Sequence, residues 1–167
     1  MIEGFNLVIL TLMNWIHLFA TVTWFGAIST MFFILVPSAR GALEPPVMGR
    51  FMGVVTKRMK VVVYISAALL IVTGIVLLIM NPPEAGYSLK ERWGMVLFVK
   101  HILVVVMLCI GLYVTEGINP KIDKLIAAGP SPELGKLQKK QLGLGAFNFI
   151  LSLIILLLSG YMFFLPR

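Results

Sequence analysis

Four apolar runs govern what this chain can become: Phe5–Val36, Val61–Met80, Trp93–Thr115 and Leu144–Leu165. Each reaches or exceeds the roughly 20 residues that an α-helix needs to cross the hydrocarbon of a bilayer. Backbone N–H and C=O groups in hydrocarbon must be paired inside the protein, and a run of this kind meets that demand as a helix. The first run is longer than a span requires, so it must tilt or project from the membrane. Of the 167 residues, 59% are hydrophobic, against about 45–50% in a soluble domain. Mean hydropathy is +0.99. The expected fold is all-α, an integral membrane four-helix bundle formed by residues 1–167 as a single transmembrane domain.

The net charge of +7 raises nucleic acid as a partner, but its distribution argues against one. Arg40, Arg50, Lys57, Arg58 and Lys60 gather in the segment Ser38–Lys60 against one acid, Glu44. Lys121, Lys124, Lys136, Lys139 and Lys140 gather in Glu116–Gly143 against three acids. The middle loop Asn81–Arg92 is balanced, and the N-terminus carries no basic side chain. Basic loops beside spans are topology signals, and they place both segments in the cytoplasm and both termini outside. The expected location is the cytoplasmic membrane of a prokaryote. The N-terminal run carries Glu3 and extends too far for a cleaved signal, so it reads as a retained span. The single cysteine, Cys109, excludes a disulfide framework and a Cys-based zinc site.

Pro37 and Pro120 are expected to close the cytoplasmic ends of spans one and three. Asn81-Pro82-Pro83 is expected to end span two, and Ser88 with Glu91 reads as a capping box opening span three. Pro45-Pro46 and Ser131-Pro132-Glu133 look like helix starts, which would extend spans two and four into the cytoplasm. Spans one and three each carry a His and then a Pro 19 or 20 residues later. Spans two and four carry Thr73-Gly74 and Ser159-Gly160 near their outer ends. Two pseudo-symmetric helical hairpins would account for the likeness.

The chain has two histidines, His17 and His101, both inside apolar runs. A titratable ring in hydrocarbon is costly and marks a functional site. Spans one and three run in the same direction, and each His lies about 18 Å along its helix at 1.5 Å per residue. They should share a depth, in the outer half or near the middle of the membrane. Two imidazoles so placed can hold a haem iron in the core of a bundle. The pairing fails if the two spans are diagonal and the bundle is collapsed between them. Thr21, Trp24 and Phe25 follow His17 as candidate lining, with Gly26, Ala27, Gly74, Ala67, Ala68, Gly145, Ala146 and Gly160 as clearance. Small residues also serve plain helix packing. Lys100 sits beside His101, about 100° around the helix, so the two cannot both face one iron. It would snorkel outward, pair with an anion, or serve as a ligand. Copper is the competing metal, since Cu(I) takes thioether and imidazole donors, and Met13 lies one turn before His17. Asn14, Tyr64, Ser66, Asn148 and Ser152 suit interhelical hydrogen bonds, with Asn14 and Asn148 open to touching a ligand. Trp15, Trp93 and Tyr161 suit interfacial belts.

His17, then Trp24-Phe25-Gly26-Ala27, then Pro37 and Arg40, resembles the first helix of the copper resistance protein D family. Thr73-Gly74 resembles the end of that family's second helix, and Lys100 stands where its third helix carries a Lys. The resemblance implies copper uptake or tolerance. The chain is also similar to the four-helix membrane protoporphyrinogen oxidases. That likeness implies b-type haem held by the first-helix His, here His17, with the third-helix Lys, here Lys100, also important. The Trp-to-Pro spacing is longer than in that enzyme family. The expectation is a membrane b-type cytochrome with haem b between His17 and His101. It would exchange electrons with a quinone, an extracytoplasmic redox protein or a small oxidant. A copper transporter or copper-binding protein and a haem-dependent oxidase-like enzyme are the alternatives.

Overall fold

The structure, a computed structural model, describes residues 2–82, 87–129 and 131–166. Six α-helices follow in order: α1 Ile2–Thr30, α2 Val36–Ala42, α3 Pro45–Met80, α4 Arg92–Leu112, α5 Asn119–Ala128 and α6 Pro132–Phe163. Two π-helical segments, Met31–Leu35 and Tyr113–Ile118, join α1 to α2 and α4 to α5 without a break. The result is four long apolar rods, Phe5–Ala42, Pro45–Met80, Arg92–Ala128 and Pro132–Phe163. No strand occurs among the described residues. The chain is an all-α four-helix bundle of the integral membrane type. Pro83, in the turn expected to end span two, lies outside the described residues.

Neither Pro37 nor Pro120 ends a helix, contrary to the sequence expectation. A proline lacks the N–H that would bond the carbonyl four residues back, and its ring crowds that carbonyl. Each is preceded by a π segment that stops two residues short of it. The wider π turn takes up the mismatch locally, as single-turn π bulges do. The helix then resumes with the proline in its first turn, where no N–H is missed. The two basic segments are therefore mostly helical, not loops. A rod of 38 residues, Phe5–Ala42, is about 57 Å long, while the hydrocarbon is about 30 Å thick. Most of the basic residues lie at one end of the rods. The other end of the bundle holds the described ends nearest both termini.

The helix starts divide. Ser131 caps α6 by accepting from Leu134 N–H at 3.2 Å, with Pro132 following it. The capping box expected at Ser88 and Glu91 does not form. Glu91 occupies the N-cap without a side-chain bond. Ser88 instead turns the approach, its Oγ accepting from Lys90 N–H and its carbonyl from Glu91 N–H. Gly129 ends α5 at φ 107, a left-handed backbone that favours glycine.

α1 packs along α3, α4 packs along α6, and the two pairs meet mainly where α1 touches α6. Trp24, Met107 and Leu151 bury together at mid-bundle, flanked by Val63, Ala67 and Leu70 of α3 and Leu103 of α4. Most large apolar side chains point outward, as a lipid-facing surface requires. Trp15 and Tyr161 are among them, whereas Trp93 is buried and does not form an interfacial belt. At the basic end polar ties join the apolar packing of Ala39, Ile118 and Ile122. Tyr64 bonds Thr115 and Glu116, Lys60 pairs with Glu116 at 2.6 Å, and Gln141 donates to Asn119 at 2.8 Å. The Lys60 hydrogen bond, followed by that from Tyr64, holds the exposed Glu116 carboxyl below the usual carboxylate range.

Gly94 in the first turn of α4 lies under the Ser88 turn. A Cβ there would sit 2.2 Å from the Ser88 carbonyl oxygen, a backbone atom that cannot step aside alone. G94A should therefore destabilise the protein by about 1–3 kcal/mol, the usual cost of overpacking. G26A, where no atom lies within 4 Å of the added carbon, should be neutral or better. Thermal unfolding of the two variants in the same detergent checks the contrast, and equal midpoints would contradict it.

Candidate functional site

His17 is half-buried on α1. Its Nδ1 lies 2.7 Å from Oγ1 of Thr73, a residue of α3 that is only 2% exposed. The same Oγ1 donates to the Leu69 carbonyl at 2.6 Å. A hydroxyl has one proton and two lone pairs. That proton is committed to Leu69, so Thr73 accepts from His17, and the imidazole carries its proton on Nδ1. The neutral ring is left with its lone pair on Nε2. Gly74 follows Thr73, and a Cβ there would be 3.5 Å from His17 Cε1. The Cε1 edge of the ring thus packs against α3 at Gly74. Thr21 does not reach this site with its hydroxyl, which donates back to the His17 carbonyl at 2.8 Å.

Lys100, not His101, is the half-buried residue of the adjacent pair on α4. His101 is exposed on the outer face of α4, its Nδ1 donating to the Leu97 carbonyl at 2.7 Å. Its ring lines an outward apolar groove of about 270 Å³ with Phe98, Ile102, Val105 and Val106. The expected pairing of His17 with His101 is therefore not formed within this chain. The reason is helical register. His17 stands twenty residues before Pro37, and Lys100 stands twenty before Pro120. Each rod carries its π segment at the same place relative to its proline, so Lys100 is the counterpart of His17. His101, one residue on, is turned about 100° away.

The two aromatic residues expected to line a cofactor pack elsewhere. Trp24 is 4% exposed and belongs to the mid-bundle core with Met107 and Leu151. Phe25 stacks on Phe149 of α6 with centroids 5.5 Å apart. Met13 is half-buried one turn before His17. No group of three or more His, Cys, Asp or Glu gathers among the described residues, and Cys109 is exposed. Asn14 points outward, while Asn148 is 8% exposed and its Oδ1 has no partner. Trp24 Nε1 is likewise buried without one. Sequence reasoning noted Thr73 only as part of a helix end. A hydroxyl followed by glycine, on a helix antiparallel to that of His17, was the available signal.

The chain belongs to the family described as Domain of unknown function (DUF4149), which it matches over residues 19–131. The match takes in Thr73, Gly74, Lys100 and His101. It begins just after His17 and ends before α6. No curated protein and no solved structure matches the chain.

The tautomer of His17 is open to test. T73V keeps shape and removes the acceptor, leaving a buried N–H unpaired at a cost of about 1–3 kcal/mol. Histidine ¹⁵N spectra of the native protein should show one ring protonated on Nδ1 and bonded, and T73V should lose that signature. T73S should keep it. An unchanged His17 spectrum in T73V would show that the ring is held by something else.

Proposed function

We propose that this DUF4149 protein is a membrane b-type cytochrome in which the His17 imidazole would hold the haem iron. The observation that carries the reading is the Thr73 relay, which leaves Nε2 of His17 with its lone pair unused. Metal-bound histidines are prepared in this way, with the far nitrogen fixed by a second hydrogen bond. The donors present suit one imidazole ligand and not two. His101 is on the outside, so Lys100 takes the second role. As a neutral amine it is a donor for iron, and as an ammonium it is a partner for a propionate. A haem iron so bound supplies one-electron transfer. The residues around it hold the ring, fix its proton and exclude water. The basic end faces the cytoplasm in this reading, and His17 lies toward the opposite surface.

Met13, one turn before His17, is a single thioether, fewer than a Cu(I) site of thioethers and imidazoles would use. Oxidase activity on a porphyrinogen rests on resemblance only, and no residue of the site assigns it.

Protein expressed with ample haem and purified in detergent should show a sharp Soret band, with α and β bands on reduction. H17A should lose the bound haem, and H101A should retain it with an unchanged spectrum. K100M should alter the spectrum if the amine ligates iron, and weaken retention without altering the bands if it pairs with a propionate. Haem-free native protein, or an H17A spectrum equal to the native one, would overturn the reading. Stoichiometric copper in place of haem would favour the copper alternative.

A further inference from the structure

Tyr113 of the second π segment and Lys140 of α6 meet where two of the apolar runs give way to basic sequence. Tyr113 stands two residues before the close of the run Trp93–Thr115, and Lys140 four residues before the start of the run Leu144–Leu165. Lys140 Nζ donates to the Tyr113 hydroxyl at 2.8 Å and lies 5.0 Å from the centre of its ring. A Cβ on Gly117 would come 3.3 Å from Tyr113 Cδ2, so the ring leans over Gly117 toward the basic end. Lys121, four residues past Gly117, follows on the same side of the rod. Tyr113, Lys121 and Lys140 are all exposed. In a bilayer this is headgroup level, where tyrosine gathers.

The donors at this corner are unspent. A phenol carries one proton and a lysine ammonium three. Tyr113 accepts from Lys140, so its own proton and two of those on Lys140 remain. No carboxylate pairs with Lys121 or Lys140 among the described residues. The two acids of the rod that carries Tyr113 are turned elsewhere: Glu116 is bonded by Lys60 and Tyr64, and Asp123 approaches Gly53 of α3. Away from the basic end, the face of Tyr113 continues along α4 as Cys109, Val106 and Ile102, all exposed. They stand four, seven and eleven residues before it, the spacing of one helix face. Ile102 and Val106 also wall the outward apolar groove of about 270 Å³. The occupant that matches this order is an anion at the corner with hydrocarbon running from it along α4.

We infer that the corner between α4 and α6 binds an anionic phospholipid, its phosphate taken by the Tyr113 hydroxyl, Lys140 and Lys121 and an acyl chain lying along Cys109, Val106 and Ile102. A zwitterionic headgroup brings an ammonium of its own, which the two lysines repel, so an anionic headgroup is favoured. The inference is independent of haem and of His17.

The test is equilibrium binding of an acyl-labelled fluorescent phosphatidylglycerol, and of the matching phosphatidylcholine, to the purified full chain in a non-ionic detergent, read by fluorescence polarisation. Native protein should bind phosphatidylglycerol at least about fivefold more tightly, the effect of one juxtamembrane lysine. K140M should weaken phosphatidylglycerol about fivefold and K140R should restore it. Y113F should weaken both lipids about tenfold, since both carry the phosphate that the hydroxyl bonds. K57M removes the same charge from α3 and should leave both affinities unchanged. Equal affinity of native protein for the two lipids, native-like binding by Y113F, or a loss in K57M as large as in K140M would overturn the inference. So would displacement of the lipid by millimolar inorganic phosphate, which would mark a site for free phosphate, or by an oligoglutamate peptide, which would mark a surface for an acidic protein.

Discussion

Hydrocarbon gives a backbone no water to bond, and the structure follows from how each helix keeps its own groups paired. Even the side-chain hydroxyls are drawn in. Thr11, Thr21, Ser29, Thr73, Thr115 and Ser159 each donate to the carbonyl four residues back on the same helix. A hydroxyl spent in this way can only accept from a neighbouring helix. Where that neighbour is a histidine, the ring must present an N–H. The protonation of His17 is therefore decided by the carbonyl of Leu69, through Thr73. A local rule of membrane helices becomes the chemistry of the interior.

The same demand explains the two prolines. Ending a helix at either proline would free several backbone carbonyls that then need new partners. Widening the turn to a π segment keeps the rods continuous past Pro37 and Pro120. Continuity sets register, because the π segment and proline fix how the residues upstream of them face. Both rods share this device, and His17 and Lys100 hold equivalent places on them. The pseudo-repeat is thus a repeat of position, with the chemistry of one site changed from imidazole to amine.

Four spans, their approximate limits and the all-α bundle were legible in the sequence because hydropathy and length alone demand them. The helical extensions beyond the membrane were half legible: the starts at Pro45 and Ser131 were read, but the continuations through Pro37 and Pro120 were not. Proline is a strong stop signal in water, where freed carbonyls find solvent. Depth along the helix was legible for His17 and His101, since rise per residue is fixed. Rotation was not, because apolar residues cover these helices all round and no amphipathic stripe marks an inner face. Counting from the prolines would have separated Lys100 from His101. Trp24 and Phe25 were read as lining by their nearness to His17, yet Trp24 fills the core with Met107 and Leu151. A large ring in the core of a bundle is claimed by packing.

The bundle therefore holds two polar positions of different kinds. At His17 the inward N–H is spoken for, and what remains is a lone pair, suited to an electron-deficient centre or a proton. At Asn148 the oxygen has no partner, and what remains is a demand for a donor. Trp24, between them in sequence and in depth, fills the space with its ring and leaves Nε1 unpaired. The close packing of Trp24 against Met107 and Leu151 is apolar and separates the two levels. Coupling between the two would have to act through the rings and helices of the core, since no hydrogen-bonded chain among the described residues joins His17 to Asn148.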